Sequence, residues 1–390
     1  MLGIYIHVPF CAKICNYCDF RVISAPSRLY YTYTKLLCSE IEAFNHANPD
    51  VLSSAETLYL GGGTPSILPE GCLNQIFDTL RGVGVKVENL REVSMEFNPE
   101  SCSSEKIKMA MDNGVGRFSL GLQTFNGGIL KKIGRSHTVE QGKLALERLA
   151  STKGIEVSAD LMFNLPGQTL ESFIQDVDAL SQYALNHISF YGLTISPKTL
   201  LGQHVSKNLL SVDDSLYEPM YLEGVKLLES RGFCRYEVSN FAHKGYESIH
   251  NQNYWNRGDY IGFGPGAHSY FHGVRFYAPE VYSQWKTYVE KGCSKEDLVL
   301  DKLTIEDVWT EWVWLSLRQN KGLNLSILKE AGIEIPKSLY EAWQKKDFLH
   351  FENQHLRLIG RGWVFMDQIV TDILNMDIPI WSMEKLKNIP

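Results

Sequence analysis

The stretch that decides the fold is His7-Val8-Pro9-Phe10-Cys11-Ala12-Lys13-Ile14-Cys15-Asn16-Tyr17-Cys18-Asp19-Phe20. Its cysteines, Cys11, Cys15 and Cys18, have the spacing CxxxCxxC, so one short loop presents three thiolates to a single centre. Cysteine thiolates are the usual ligands of iron–sulfur clusters, and three of them leave one iron of a [4Fe–4S] cluster open to a small molecule. The alternative is structural zinc, which normally takes four ligands from two paired hooks. No second CxxC pair is present in the chain.

The composition is that of a folded protein with a large core. The 390 residues allow a large domain and a smaller one, and 44% of them are hydrophobic. The net charge of −7 gives no electrostatic reason to expect nucleic acid as a partner. No apolar run approaches the ~18 residues of a membrane span, and the start lacks the features of a signal peptide. We therefore expect a cytoplasmic protein in which the five scattered cysteines outside the triplet stay reduced.

Short apolar runs alternate with amphipathic helical stretches over the first 200 residues or so. This alternation predicts a parallel sheet with helical crossovers, and hence an α/β fold. Six units fit a partial (β/α)6 barrel, short of the eight of a TIM barrel, with functional groups at the carboxyl ends of the strands. The predicted strands are Gly3–Val8, Thr57–Leu60, Glu92–Phe97, Arg117–Leu122, Ile155–Met162 and His187–Leu193, and the predicted helices are Tyr30–Phe44, Cys72–Leu80, Ser104–Asp112 and Val139–Leu149.

The chain changes character twice after the barrel. We expect the barrel to cover residues 1–205, an extension that is helical and then rich in glycine and aromatic residues to cover 206–300, and a smaller domain to cover 301–390. The last part carries 11 Lys and Arg against 13 Asp and Glu, which argues against a phosphate-binding surface and favours a lid or partner-docking domain. Its pattern resembles a winged-helix-like α+β domain, with helices at Leu303–Leu317, Leu325–Ala331, Lys337–Lys346 and Gly362–Leu374 and a strand pair within Asp347–Ile359.

Glycines and polar residues follow the predicted strands in order. The run Gly61-Gly62-Gly63-Thr64-Pro65 after the second strand allows a polar ligand to approach the backbone closely, and the alternative is a tight turn. Glu96, Gln123 and Asp160 lie at or near the ends of the next three strands. They can hydrogen-bond to a ligand, or they satisfy backbone groups at strand ends. Arg135 offers a fork that fits a carboxylate, and the alternative is an exposed surface arginine.

CxxxCxxC behind an apolar strand, followed by GGGTP, resembles the radical S-adenosylmethionine (SAM) superfamily. The resemblance implies that the open iron binds the amino and carboxylate groups of SAM. It implies that electron transfer from the cluster splits the sulfonium to give a 5′-deoxyadenosyl radical, while the protein supplies binding and orientation. A flavodoxin- or ferredoxin-like electron donor is the partner that this chemistry implies.

The binding positions also resemble those of the coproporphyrinogen dehydrogenase-like subfamily, which is known for two SAM molecules beside one cluster. The resemblance implies that Tyr5, Gly62 and Glu96 touch the SAM bound to the cluster. The residues it implies for a second SAM are Tyr17, Gly63, Thr64, Gln123, Arg135 and Asp160. Whether one SAM or two are bound is open at this point.

Two departures set this chain apart from oxygen-independent coproporphyrinogen III dehydrogenase. That enzyme has a fourth cysteine where this chain has Phe20, and it carries an N-terminal extension, whereas here the first strand begins at once. Both features, with the HNxxYW motif His250-Asn251-Gln252-Asn253-Tyr254-Trp255, resemble the HemW-type haem chaperones. Imidazole is a common axial ligand of haem iron, and the resemblance implies that role for His250. The alternative is a loop histidine beside ordinary core aromatic residues.

The glycine-rich run Gly262-Phe263-Gly264-Pro265-Gly266-Ala267-His268 is not a dinucleotide-binding fingerprint. Pro265 interrupts it, and it does not follow GxGxxG. We consider His268, at the end of the run, as a residue that approaches the SAM site.

Two hypotheses of function follow. The resemblance favours a haem-binding and delivery protein with a [4Fe–4S] cluster and SAM, which would dock peripherally on the membrane and serve haem-requiring respiratory apoproteins. The alternative is a radical SAM enzyme that decarboxylates porphyrinogen propionates, or a radical SAM methyltransferase. No catalytic residue is assigned, and sustained formation of a decarboxylated or methylated product would distinguish the enzyme from the chaperone.

Overall fold

The computed structural model describes residues 1–376, 378, 382 and 385, and confirms the expected α/β architecture. Six parallel strands lie side by side in chain order, each within two residues of its predicted bounds. They are buried on both faces, which explains their nearly continuous apolar runs. The strands are β1 (Leu2–Val8), β2 (Ala55–Gly62), β3 (Glu92–Phe97), β4 (Arg117–Gln123), β5 (Glu156–Phe163) and β6 (His187–Gly192).

Helices connect these strands and cover the sheet. They are α1 (Arg28–Ala47), α2 (Glu70–Gly82), α3 (Ser104–Asp112), α4 (Gly127–Lys132), α5 (Val139–Ser151) and α6 (Leu170–Leu180). Local sequence sets their starts: Ser103 caps α3, and Thr138 and Thr169 form capping boxes at α5 and α6. The short helix α4 was not predicted, although Asn126 caps it through the backbone amides of Gly128 and Ile129.

Residues 206–300 extend the same sheet at both edges, which the sequence reading did not predict. Their strands are three to five residues long, too short for a clear periodic pattern. The elements that follow β6 are α7 (Leu200–Ser206), α8 (Tyr217–Ser230), β7 (Cys234–Glu237), β8 (Asn240–Ala242), α9 (Ile249–Trp255), β9 (Asp259–Phe263), β10 (His268–Phe271), β11 (Val274–Tyr277), α10 (Tyr282–Glu290) and β12 (Val299–Asp301). The strand order of the whole sheet is β12-β11-β10-β9-β1-β2-β3-β4-β5-β6-β8-β7, with β9 parallel to β1.

The remaining elements form a small three-stranded antiparallel sheet with helices around it. They are α11 (Ile305–Leu317), β13 (Leu323–Asn324), α12 (Leu325–Ala331), α13 (Lys337–Lys345), β14 (Leu349–Glu352), β15 (His355–Leu358) and α14 (Met366–Leu374). The winged-helix-like description and the boundaries at 205 and 300 stay predictions, and most of 377–390 lies outside the described residues. Within the described part of the chain, none of the helices has the length and apolarity needed to span a membrane.

Arg318, which follows α11, joins these last elements to the large sheet. Its Nη2 and Nε donate to Glu237 Oε2 at 2.7 and 3.0 Å, and the Glu237 side chain is fully buried. The guanidinium carbon also lies 3.9 Å from the centre of the Trp255 ring. Removing one partner of such a buried pair leaves an uncompensated charge, which is strongly destabilising.

We expect Arg318→Ala to lower the free energy of unfolding by about 3–5 kcal/mol, because Glu237 would keep a buried charge without its partner. Denaturant unfolding at neutral pH measures this loss. The control is Arg361→Ala, whose pair with Glu218 is largely exposed and is expected to contribute much less. Equal stability of the two variants would contradict the structural role given to Arg318.

Candidate functional site

A cavity of about 570 Å³, here called the cluster cavity, opens at the carboxyl ends of the parallel strands. Ligands of parallel α/β sheets bind at this edge. The loop between β1 and α1, residues 9–27, forms one wall and is called the cluster loop. Ten sequence-predicted residues line the cavity: Cys11, Cys15, Tyr17, Cys18, Gly62, Gly63, Glu96, Gln123, Arg135 and Asp160.

The three cysteines are free and partly buried. Thr64 Oγ1 donates to Cys11 Sγ at 3.5 Å, and Arg135 Nη1 donates to Cys15 Sγ at 3.5 Å. Burial raises the pKa of Cys11 and raises that of Cys18 to about 11. Such thiols become thiolates when a metal compensates their charge. Three thiols on one wall are the donor set of a [4Fe–4S] cluster, so the residues fit that group.

A single metal ion is held by donors gathered about one point. Among the described residues, no three His, Cys, Asp or Glu side chains are placed to hold such an ion.

The glycine run brings the end of β2 into direct contact with the cluster loop. Gly63 N donates to Val8 O and Thr64 N donates to Phe10 O, each at 2.8 Å. A Cβ on Gly63 would lie 2.6 Å from Phe10 O, and Gly62 has a φ of +105°, so neither position accepts a side chain without a shift. Both glycines also line the cluster cavity. The tight turn that the sequence suggested as one alternative is present, and its backbone borders the cavity; binding of a ligand by this backbone stays a prediction.

Two half-buried carboxyl groups face the cluster cavity. Glu96 accepts hydrogen bonds from Gly62 N at 3.1 Å and from the Tyr59 hydroxyl at 2.9 Å. Asp160 Oδ1 accepts one from Ser119 Oγ at 3.1 Å. Burial, assisted by the nearby Asp160, raises the pKa of Glu96 to about 7, and burial raises that of Asp160 to about 6. A positively charged ligand would favour ionisation of both groups.

Arg135 is anchored in the cavity wall by Asn98. Its Nη2 donates to Asn98 Oδ1 at 2.7 Å and to Gly121 O at 2.5 Å. Asn98 Nδ2 in turn donates to Thr64 Oγ1 at 2.8 Å. The arginine is half-buried and bonded within the cavity wall, which does not fit an exposed surface residue. The sequence reading missed Asn98, although its place directly after β3 was a usable signal.

The end of β6 contributes a second residue that sequence reasoning missed. The Tyr191 hydroxyl donates to Gln123 Oε1 at 2.9 Å, and Tyr191 lines the cluster cavity. Gln123 itself has a φ of +74° and lies at a register shift between β4 and β5. Bulges of this kind re-aim side chains near functional sites.

Two residues expected at the SAM site are not on the wall of the cluster cavity. Thr64 is buried between Cys11 and Asn98. Tyr5 borders a neighbouring cavity, and its hydroxyl lies 3.1 Å from His7 Nδ1. Contact of Thr64 or Tyr5 with SAM stays a prediction that requires movement of the wall.

The neighbouring cavity, here called the aromatic cavity, has a volume of about 980 Å³. It shares Cys18, Asp19, Phe20 and Val22 with the cluster cavity, so one segment of the cluster loop separates the two spaces. His268 lines the aromatic cavity. It does not line the cluster cavity, so the expectation that it approaches the SAM site is not met by its position in the structure. The Phe, Tyr and Trp rings that border it are Tyr5, Phe20, Tyr254, Trp255, Tyr260, Tyr270 and Trp314.

The HNxxYW motif forms α9 behind this cavity. His250 is 1% exposed, with Nδ1 2.9 Å from Thr57 Oγ1 and Nε2 2.8 Å from the Tyr254 hydroxyl. Burial lowers the pKa of His250 to about 3. Since both ring nitrogens are engaged and the ring lines neither cavity, iron ligation by His250 requires its contact with Tyr254 to open. The assignment of His250 as a haem ligand stays a prediction.

Comparison with known proteins agrees with this geometry. The profile of the radical SAM superfamily matches residues 5–180. Among solved structures, coproporphyrinogen III oxidase (HemN) from Escherichia coli aligns with a TM-score of 0.81 and 20% identity, over 96% of this chain and 90% of that chain. At this identity the likeness shows the fold alone.

Curated relatives are more similar in sequence. The haem chaperone HemW of Bacillus subtilis is 35% identical over 83% of this chain and 85% of that protein. HemW of Mycobacterium tuberculosis is 31% identical over 95% of this chain and 94% of its own length. Likeness at this level over nearly the whole length shows common descent, and the chain belongs to the HemW family of radical SAM proteins.

Proposed function

We propose that this chain is a haem chaperone on a radical SAM scaffold, which binds haem and delivers it to haem-requiring respiratory proteins. The observation that carries this proposal is the aromatic cavity beside the cluster loop. Its volume of about 980 Å³ lies near the upper end of ligand pockets, roughly 300–1,000 Å³. Its tyrosine and tryptophan rings are suited to pack on a flat macrocycle. The relatives named haem chaperones support haem as the cargo.

Radical SAM membership implies a [4Fe–4S] cluster, SAM and an electron donor, and this chain has residues that fit the cluster and SAM. Cys11, Cys15 and Cys18 would hold the cluster. The nine residues predicted to bind SAM keep the roles that the sequence predicts. The electron donor would be a protein of the flavodoxin or ferredoxin type. When bound, the cluster and SAM supply one-electron radical chemistry.

The side chains of the cluster cavity match the charges of SAM. Glu96 and Asp160 offer carboxylates to its cationic groups, and the Arg135 fork is suited to a carboxylate. The cavity therefore presents both signs of charge within one small volume. Space for a second SAM stays part of the proposal.

The segment 18–22 couples the two cavities. It begins with Cys18, which would hold the cluster, and it forms part of the wall of the aromatic cavity. Binding of the cluster would fix this wall, because a ligated thiolate restrains the backbone on either side of it. We expect cluster-loaded protein to bind haem more tightly than cluster-free protein.

Delivery would use the last part of the chain. Trp314 and Leu315 of α11 line the aromatic cavity, so the elements of residues 301–390 reach the proposed cargo. A recipient apoprotein that contacts α11 would touch the wall of the cavity. Peripheral docking on a membrane would bring respiratory recipients to this face.

The ligands of the cluster can be tested one by one. We expect Cys11→Ser, Cys15→Ser or Cys18→Ser to abolish the visible absorption of the reconstituted cluster and to lower its iron content, because an open cluster has no ligand to spare. Iron and sulfide analysis with absorption spectroscopy measures this. Cys234→Ser, at an exposed thiol, is the matched control and should load normally. A fully loaded Cys18→Ser protein would rule out the proposed ligand set.

The half-buried carboxyl of Glu96 makes the free energy of unfolding depend on pH. In the folded protein its pKa is about 7, above the ordinary value of 4.5, so the folded state loses stability as the pH rises from 4.5 to about 7. Glu96→Gln removes this ionisation. The difference in free energy of unfolding between the variant and the native chain should therefore shift in favour of the variant by up to about 3 kcal/mol as the pH rises from 4 to 8. Denaturant unfolding of protein without cluster or SAM measures it. A difference that is constant over this range would contradict the raised pKa.

The chaperone proposal is tested by haem titration of anaerobic, cluster-loaded protein, followed by absorption. We expect stoichiometric binding and transfer of the haem to an apoprotein of a respiratory enzyme. Incubation with SAM, a reductant and coproporphyrinogen III, followed by product analysis, is the parallel assay. Sustained decarboxylated or methylated product, or absence of haem binding, would overturn the proposal.

A further inference from the structure

We propose that the aromatic cavity is the haem site and that His268 is the axial ligand of the haem iron. This inference rests on the proposed function, since it takes the occupant of the cavity to be the cargo. It assigns the iron to a histidine outside the HNxxYW motif.

His268 is the histidine of this cavity with an exposed ring and free nitrogens. It begins β10, its side chain is exposed, and neither ring nitrogen makes a hydrogen bond to a described residue. The Tyr277 ring stacks on the imidazole at 4.6 Å between centroids and 24° between planes, which orients it. Desolvation by the cavity wall and the nearby Arg275 lower the pKa of His268, which favours the neutral ring. Neutral imidazole is the form that binds iron.

His250 has a different role in this arrangement. Its contacts to Thr57 and Tyr254 tie α9 to β2 and hold the Tyr254 ring in place. Tyr254 packs edge-on against Tyr260 at 4.6 Å, and both rings border the cavity. His250 therefore positions the wall against which the macrocycle would pack. A ligand role would require that wall to be dismantled.

Haem also carries two propionate groups, which need cations. Arg257 and Arg275 line the cavity but are already paired with Glu311. Lys198 lines it too, is exposed, and has no ion pair with any described residue. Arg21 is the second exposed cation, 3.0 Å from Glu280. Arg21, like Arg257 and Arg275, already has a carboxylate partner, so Lys198 is the unpaired cation among the described residues of this cavity. It places a propionate at the solvent side and the macrocycle among the aromatic rings.

The test is haem titration of cluster-loaded native protein, His268→Ala and His272→Ala. His272 is an exposed histidine of the same hairpin and lines neither cavity, so it is the matched control. We expect His268→Ala to lose the imidazole-ligated haem spectrum and at least about tenfold in affinity. Free imidazole should restore the spectrum, because the cavity stays open. His272→Ala should behave as the native chain does.

The propionate contact has its own pair of variants. Lys198→Glu should weaken haem binding by roughly threefold or more without changing the spectrum. Lys207→Glu, an exposed lysine outside the cavity, should leave haem binding unchanged. These two variants test haem binding in the aromatic cavity independently, even if the His268→Ala protein takes up its iron–sulfur cluster poorly.

The outcomes separate the inference from the proposed function. Haem binding by the native chain with unchanged spectrum and affinity in His268→Ala and Lys198→Glu would overturn the inference and leave the chaperone standing. Absence of haem binding by the native chain would remove the chaperone, and the inference with it. A loss confined to His268→Ala and Lys198→Glu supports both.

Discussion

The site depends on the contact between the turn after β2 and the cluster loop. Two backbone hydrogen bonds, from Gly63 to Val8 and from Thr64 to Phe10, hold these segments together. A side chain on Gly63 would collide with the loop backbone, so glycine is required there. From this contact Thr64 reaches Cys11 and Gly62 reaches Glu96. The loop is thereby placed between two cavities, with Cys18 in the wall of both.

Much of the fold and part of the site could be predicted from local patterns. The six parallel strands and the cysteine loop have signals within a few residues, because strand runs and ligand spacing are local properties. In a parallel sheet, polar side chains at the carboxyl ends of the strands are candidates for the site. Glu96 and Asp160 were predicted on this ground, whereas Asn98 and Tyr191, which also lie at strand ends and line the cluster cavity, were overlooked. The strands of residues 206–300 were missed because they are short and take their place from pairing with distant strands.

The environment of His250 could not be predicted in this way. Its partner Thr57 lies 193 residues away in the chain, and only the folded sheet brings the two together. A histidine in a motif with tyrosine and tryptophan suggests an iron ligand, whereas the structure shows it bonded on both sides. The aromatic residues that follow it, Tyr254 and Trp255, line the aromatic cavity.

The central claim is that the cargo lies against the cluster loop in the aromatic cavity. Photocrosslinking from position 20 tests it most directly, since the exposed Phe20 borders both cavities. Cluster-loaded protein with p-benzoylphenylalanine in place of Phe20 would be irradiated with bound haem, beside a control with the same probe in place of the exposed Tyr31 on α1. The account predicts a haem adduct on the cluster loop from position 20 and none from position 31. Bound haem without any adduct from position 20 would contradict it.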